Sequence, residues 1–259
     1  MLLKEIKTKL DSILKPNLAY EWDNVGLGIG ELNSEVNRIL VTLEITQSVI
    51  EEAIIKKADL IITHHPLIFK PVKSIIDSDI KGNMILKLIK NSIGVYVAHT
   101  NFDILDGGLN DYVANLIELQ EVDKLAYDTE DGIGRCGFLP NPMNLIEFVN
   151  HIKTKLNIDE IRLIDGEKEI INKVGLVTGS GIEYALDAFR LNCDVYLTGD
   201  VKYHDAQDWL SKGMNIIDFG HYGSEIHFRE NMIDLLKKEI DNRLVYLISD
   251  ALKDPFRTV

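Results

Sequence analysis

Three separate apolar runs of this sequence are each followed closely by histidines or carboxylates. The side chains concerned are His64 and His65, His99 and Asp103, and His221 and Glu225. Imidazole nitrogens and carboxylate oxygens are the ligands that many divalent metal ions take in proteins. Ligand sites in open α/β sheets lie at the carboxyl ends of the strands, so three strand ends can share one crevice. This pattern predicts a metal site and hydrolytic chemistry.

The local spacing around these residues supports metal binding. Pro66 keeps His65 in an extended conformation as the strand ends. Adjacent extended side chains point to opposite sides, so we expect His64 and His65 to serve two different ions. His221 and Glu225 are four residues apart at a predicted helix start, which places both on one helical face.

The number of ligands indicates two ions that share one site. Three imidazoles and two carboxylates are too few for two separate closed sites of four ligands each. They suffice for two ions that share a bridging group and leave positions for water. We expect Glu225 or a water molecule to be the bridge. Any one of these histidines, taken alone, is more often a packing residue than a ligand.

Apolar runs rich in Val and Ile alternate with amphipathic segments, and this alternation predicts an α/β protein with helices on both faces of its sheets. The predicted strands are residues 38–43, 60–63, 94–98, 173–178, 195–198, 216–219 and 244–248. The predicted helices are residues 48–57, 83–91, 108–119, 144–156, 183–191, 204–212 and 223–239. An N-terminal amphipathic helix precedes them, and its apolar face consists of Leu3, Ile6, Leu10 and either Ile13 or Leu14.

An acidic, glycine-bearing segment at residues 127–134 interrupts the apolar pattern and indicates a linker or a crossover. The strand and helix near the end of the chain can return to the first unit. We therefore predict a metal-site α/β domain of residues 1–126 plus 216–259. A second α/β domain, residues 127–215, is inserted into it.

Composition narrows the class of protein. Asp and Glu outnumber Lys and Arg by 41 to 28 in 259 residues, and the net charge of -13 disfavours nucleic acid as a partner. Cys136 and Cys193 stand far apart, which is neither a disulfide framework nor a zinc-ribbon spacing. No run approaches the roughly 20 apolar residues that cross a bilayer. We expect a cytoplasmic protein without a membrane or nucleic-acid partner.

Seven motifs occur in a characteristic order along the chain. They are YEWDNVGL, ITHHPLIF, AHTNFD, GIGRCG, VTGSG, GDVKYHDA and GHYGSE, which begin at residues 20, 62, 98, 132, 177, 199 and 220. Together they resemble the NIF-three-like dinuclear metal-centre family, also known as GTP cyclohydrolase I type 2 homologues. The resemblance covers essentially the whole chain. One departure is Glu44, where an aspartate is expected near the site.

The resemblance implies two α/β domains, the second inserted into the first. It also implies a toroidal homohexamer, a trimer of dimers whose metal pairs face the interior. Each subunit then holds two divalent ions, and Fe, Mn, Co, Ni and Zn all suit mixed imidazole and carboxylate ligands. The ligands that the motif match implies are His64, His65, Asp103, His221 and Glu225.

The activity implied by the resemblance is that of a metal-dependent hydrolase acting on GTP, in which hydroxide attacks C8 of guanine, opens the imidazole ring and releases formate. His99 and His204 are candidates for proton transfer, with a structural hydrogen bond as the alternative for both. A hydrolase for another nucleotide or a phosphoester would use the same ligands. A ring-shaped metal-containing scaffold without catalysis is the alternative from another class, although incomplete protein coordination favours catalysis.

Two further segments have open interpretations. The glycines Gly179 and Gly181 follow a strand, where backbone amides can hold an anion, but a tight turn is the favoured interpretation. Trp22, Asp23 and Asn24 either reach the site or form a capped turn with an aromatic plug.

Overall fold

The computed structural model describes residues 1–127 and 132–257. Its α-helices are α1 (Leu3–Leu14), α2 (Gln47–Ile55), α3 (Ile80–Lys90), α4 (Thr100–Ile104), α5 (Leu109–Leu116), α6 (Leu145–Leu156), α7 (Ala185–Arg190), α8 (Tyr203–Ser211), α9 (His221–Glu225) and α10 (Phe228–Glu239). Its strands are β1 (Gly26–Ile29), β2 (Arg38–Thr42), β3 (Leu60–Thr63), β4 (Gly94–Val97), β5 (Gln120–Leu125), β6 (Gly134–Asn144), β7 (Arg162–Ile164), β8 (Ile170–Leu176), β9 (Val195–Thr198), β10 (Asn215–Asp218) and β11 (Val245–Ile248). The predicted α/β class, with two mixed sheets flanked by helices, is confirmed.

The chain forms two compact units. The first contains Met1–Phe102 and Phe228–Val259, and the second contains Asp103–His227. These bounds differ from the predicted bounds at residues 126 and 216, because β5 and β10 both pair with strands of the second unit's sheet. Residues 128–131 of the predicted linker at 127–134 lie outside the described residues.

The first unit contains a five-stranded sheet in the order β1-β4-β3-β2-β11. β2, β3, β4 and β11 are parallel, and only β1 runs antiparallel, against β4. Thr42 pairs with Thr63, and Thr63 pairs with Val97. The carboxyl ends of β2, β3 and β4 therefore lie at one edge of the sheet, and the residues that follow these strands are brought together there.

The N-terminal helix packs as its sequence pattern predicts. Leu3, Ile6, Leu10 and Leu14 are buried, so Leu14 rather than Ile13 completes the apolar face of α1. The hydroxyl of Tyr96, in β4, donates a hydrogen bond to Oδ1 of Asp11, in α1, at 2.8 Å.

A carboxylate of α2 holds the chain that follows β11. Burial alone would raise the pKa of Glu52, but hydrogen bonds from Lys56 and Ser249 hold that pKa below its usual range. The backbone amides of Asp250 and Ala251 donate to the same carboxylate. Glu52 thus connects helix α2 to the segment after the last strand of the sheet.

The second unit contains a six-stranded sheet in the order β5-β6-β8-β9-β10-β7. β8, β9 and β10 are parallel, whereas β5, β6 and β7 pair antiparallel with their neighbours. The predicted helix at residues 223–239 is interrupted, since α9 ends at Glu225 and α10 begins at Phe228.

A buried arginine organises the start of the second unit. Arg135, at the beginning of β6, is only 2% exposed and forms an ion pair with Asp111 of α5 at 2.6 Å. Its guanidinium also donates to backbone carbonyls, including those of Gly132 and Leu105. This arrangement offsets the cost of burying the charge.

Across residues 1–127 and 132–257, no helix has the length and apolar character needed to span a membrane.

Candidate metal centre

Three histidines of the first unit form a compact group at the carboxyl edge of its sheet. His64 and His65 follow β3, and His99 follows β4. One ring nitrogen from each lies within 4.8 Å of the others. His64 is fully buried, and the other two are partly buried. Such spacing suits side chains that converge on a metal ion.

The histidines after β3 do not diverge as an extended strand would require. The rings of His64 and His65 have centroids 5.2 Å apart. The strand ends at Thr63 and the chain bends at the two histidines, so the alternation of a strand no longer applies to them. The expectation that they serve two different ions remains a prediction.

Hydrogen bonds at Nδ1 orient both of these rings. Nδ1 of His64 faces the carbonyl oxygen of Ala98 at 2.7 Å, and Nδ1 of His65 faces Oε2 of Glu44 at 3.0 Å. An acceptor at Nδ1 selects the tautomer protonated there and places the lone pair on Nε2. Glu44, the departure from the expected aspartate, is thus long enough to reach the His65 ring.

His99 is oriented in the same way by a buried aspartate. Nδ1 of His99 lies 2.9 Å from Oδ1 of Asp23, whose side chain is fully buried. The backbone amide and hydroxyl of Thr100 donate to the other carboxylate oxygen, at 3.1 and 2.6 Å. Burial alone would raise the pKa of Asp23, but the hydrogen bonds from His99 and Thr100 lower it to about 2. Asp23 is therefore ionised at neutral pH.

The second unit contains a histidine–carboxylate pair on the short helix α9. Nε2 of His221 lies 3.0 Å from Oε2 of Glu225, so the spacing of four residues places both on one face. Glu225 is buried. Nδ1 of His221 lies 2.7 Å from Oδ2 of Asp200, which follows β9 and has a φ of 55°. Asp200 holds His221 as Glu44 holds His65.

The Glu225 carboxylate lies against a residue that has to be glycine. Gly179 has a φ of +68°, and a Cβ there would lie 2.1 Å from Oε1 of Glu225. Its amide donates to Oγ of Ser224 at 2.9 Å, and the amide of Gly181 donates to Oγ1 of Thr198 at 2.8 Å. Because both amides already donate to hydroxyls, the segment serves as a tight turn that accommodates the carboxylate.

The remaining predicted site residues occupy different environments. Asp103 is buried in α4, and the amide group of Asn110 donates to its backbone carbonyl at 3.3 Å. Asn110 also accepts hydrogen bonds from the amide and hydroxyl of Thr178. His204 is exposed in the first turn of α8, where its ring lies against Tyr203. The roles of Asp103 and His204 remain predictions.

The side chains present fit a divalent metal ion. Four imidazoles have an oxygen at Nδ1, which places the ligand lone pair on Nε2. Within the second unit, the buried carboxylates of Asp103 and Glu225 are hard oxygen donors of the kind that divalent ions also take. One expectation needs correction: the strand before His221 is β10, which belongs to the six-stranded sheet. The three strand ends therefore do not come from one sheet.

Two of the carboxylates that orient the rings, Glu44 and Asp200, had no predicted role. Glu44 comes two residues after β2, and Asp200 comes two residues after β9. Both are acidic residues at the carboxyl ends of buried strands, the same signal that indicated the metal ligands. Applied to every strand, that signal would have found them.

The fold and these groups define a two-unit α/β protein with histidine and carboxylate groups that could hold a metal ion. A sequence profile for the family Duf34/NIF3 (NGG1p interacting factor 3) matches residues 1–255. The chain belongs to this family, and the resemblance seen in its motifs is confirmed.

Individual relatives agree with this assignment. A "GTP cyclohydrolase 1 type 2 homolog" of Clostridium perfringens is 37% identical over 262 residues, with both chains fully covered. Among solved structures, a hypothetical protein of Staphylococcus aureus is 31% identical with a TM-score of 0.92, covering 100% of this chain and 99% of that one. Reduced HcgD from Methanocaldococcus jannaschii is 29% identical with a TM-score of 0.83, covering 96% and 98%.

Proposed function

We propose that the protein is a hydrolase with two divalent metal ions per subunit, and that it opens the imidazole ring of GTP. The proposed ligands are His64, His65, Asp103, His221 and Glu225. The observation that carries the proposal is the shared orientation of the histidines, each with Nδ1 on an oxygen acceptor. The name of the Clostridium perfringens relative suggests the substrate.

When bound, a divalent ion lowers the pKa of water from 15.7 to about 7 and polarises the group under attack. The protein's own part is to hold the ligands in place before substrate arrives. Glu44 and Asp200 fix the rings of His65 and His221. Gly179 leaves the space in which the Glu225 carboxylate lies. Prior ordering of this kind removes reorganisation from the reaction step.

His99 is the proposed proton-transfer residue. Its Nδ1 is held by the ionised Asp23, so a proton can be exchanged only at Nε2. The carboxylate stabilises the imidazolium that forms when Nε2 accepts a proton from water. The proton can then pass to one ring nitrogen as its bond to C8 breaks, which opens the ring and leaves a formamide on the other nitrogen. Attack of a second water on this formyl carbon breaks the remaining C8–N bond and releases formate.

The test is formate release from GTP by protein loaded with Mn²⁺, Fe²⁺ or Zn²⁺. We expect formate from the parent protein and its loss in Asp103→Asn, which removes one proposed ligand charge while keeping the side-chain shape. The matched control is Asp234→Asn, an exposed aspartate of α10. Equal formate release by Asp103→Asn and the control would disprove the proposed site.

A different result would favour the non-catalytic alternative. Tight metal binding that depends on Asp103, without formate release from GTP, would indicate a metal-containing scaffold. Release of phosphate or of another product would indicate a hydrolase for a phosphoester or another nucleotide. Testing each substrate with Asp103→Asn assigns any activity to this site.

We also propose self-association into a homohexamer, a trimer of dimers. Apolar side chains exposed on the first unit support it: Ile55, Ile75, Ile76, Ile80 and Ile89 are 45–79% exposed. Large exposed apolar groups often mark protein interfaces. Light scattering coupled to size-exclusion chromatography should give the mass of six subunits, and a monomer mass would contradict the proposal.

A further inference from the structure

An exposed group of aromatic rings lies beside the three histidines of the first unit. Tyr20 and Trp22 stack with ring centroids 5.4 Å apart and planes 25° apart. The ring centroids of Phe69 and Trp22 are 5.9 Å apart, and their planes are inclined by 63°. The ring of His99 lies 6.3 Å from that of Trp22, and the two planes are inclined by 75°. The ring of His99 in turn lies 5.1 Å from that of His64. The aromatic group is thus continuous with the candidate metal ligands.

Two of these rings are more exposed than packing alone explains. Trp22 is 58% exposed and Phe69 is 42% exposed. Burying a tryptophan ring is one of the larger apolar contributions to folding, and this contribution is mostly forgone here. The expected alternative, in which Trp22 plugs a local turn, does not fit a ring with over half of its surface in solvent.

The backbone that carries these rings is nevertheless held firmly. Asp23, the neighbour of Trp22, is buried and accepts hydrogen bonds from His99 and Thr100. The side-chain amide of Asn24 donates to the carbonyl of Ile68 at 2.5 Å, next to Phe69. Both exposed rings are therefore anchored through their immediate neighbours. A ring fixed in position before binding loses little entropy when a ligand stacks on it.

We infer that Tyr20, Trp22 and Phe69 form a stacking platform for the planar base of a nucleotide substrate. The near-parallel Tyr20 supports Trp22, while Phe69 and His99 stand steeply beside it as edges. A flat heteroaromatic ring can stack on an exposed aromatic side chain that is held between such neighbours. Stacking on an aromatic ring requires no positively charged side chain, so it is compatible with the net negative charge of the protein.

The inference rests on the proposed function, because it supplies the part of the site that recognises the base. The histidines would face the atom under attack, and the aromatic platform would hold the ring plane. Stacking on an aromatic side chain changes affinity by roughly 5- to 150-fold per base. The platform accepts any planar base, so discrimination between guanine and adenine must come from other contacts.

Binding of guanosine measures the platform without requiring turnover. Calorimetric titration of Zn²⁺-loaded protein should show guanosine binding that weakens by roughly 5- to 150-fold in Trp22→Ala. Trp22→Phe should restore most of the affinity, because it keeps an aromatic face. Thermal unfolding of Trp22→Ala should change little, whereas a turn-plugging role would lower its midpoint. Unchanged guanosine affinity in Trp22→Ala would overturn the inference.

Fluorescence provides an independent readout. The chain has two tryptophans, and Trp209 is buried in α8 with Lys212 above its ring. In Trp209→Phe the emission comes from Trp22 alone. We expect saturable quenching by guanosine and adenosine, and none by tripolyphosphate. Quenching by tripolyphosphate to the same extent, or none by either nucleoside, would contradict a base platform.

The two proposals fail in different ways. Saturable guanosine binding at Trp22 without formate release would support the platform and remove the cyclohydrolase assignment. Formate release with an unchanged KM for GTP in Trp22→Ala would keep the assignment and remove the platform.

Discussion

Replacement of Gly179 by alanine is expected to displace the Glu225 carboxylate. The new Cβ would lie 2.1 Å from Oε1 of Glu225, well inside van der Waals contact. The carboxylate is the end of a side chain that can rotate, so it should move and leave the backbone in place. Its present position, with Oε2 3.0 Å from Nε2 of His221, would then be lost.

The magnitude follows from two contributions. A left-handed backbone costs a residue with a Cβ about 1–2 kcal/mol. Forcing the Glu225 side chain away from its present rotamer adds about 1 kcal/mol. The total destabilisation of metal-free protein is therefore about 2–3 kcal/mol. The affinity for metal should also fall, by the roughly 10- to 100-fold that follows disturbance of groups around a metal.

Gly107→Ala is the matched control. Gly107 also belongs to the second unit and has a φ of +78°, but a Cβ there meets nothing within 4 Å. The Gly107→Ala variant should be destabilised only by the cost of the left-handed backbone, and its affinity for metal should not change. Urea unfolding followed by circular dichroism measures stability, and calorimetric titration with Zn²⁺ measures affinity. If both folded variants bind Zn²⁺ equally well, the role assigned to Gly179 is refuted.

Three further substitutions test other contacts. Asparagine tolerates the φ of 55° at position 200, so Asp200→Asn should leave the circular dichroism spectrum unchanged. Its affinity for Zn²⁺, measured by calorimetry, should be about 10- to 100-fold weaker. Arg135→Leu leaves Asp111 without its buried ion-pair partner and should cost about 3–5 kcal/mol in urea unfolding; a loss under about 1 kcal/mol would contradict this. Glu52 has a folded pKa below its unfolded pKa, so its stabilisation is complete above the usual glutamate range and is lost as pH falls through the folded value. Glu52→Gln should therefore destabilise at pH 7 and match the parent at low pH, as the urea midpoint would show; a constant difference would contradict the reasoning.

The buried strands that pair in parallel could be predicted from sequence, whereas the strands that pair only antiparallel, β1, β5, β6 and β7, could not. The predicted strand at residues 60–63 matches β3, because both of its faces are covered and every residue is apolar or a buried threonine. β5 is mostly exposed, β7 has three residues and β6 contains two prolines, so none shows an apolar run. β10 was recognised as a strand but placed in the wrong sheet. Pairing between distant strands leaves no local signal.

In the candidate site, too, contacts between residues close in sequence could be predicted, whereas contacts between distant residues could not. The i, i+4 relation of His221 and Glu225 is local, and the geometry follows it. The contact between His99 and Asp23 joins residues 76 positions apart. The sequence left open whether Asp23 reaches the site or caps a turn, and its contact with the amide of Asn24 is a local one. Its second contact, with the imidazole, depends on the fold.

The pairing of β11 with β2 has a consequence for biosynthesis. β11 is made after the whole second unit, yet it completes the sheet of the first. Until the ribosome has released residues 245–248, β2 exposes an apolar edge whose backbone groups can pair with another chain. The edge of β2 is therefore open to pairing with other chains for as long as the second unit is being made.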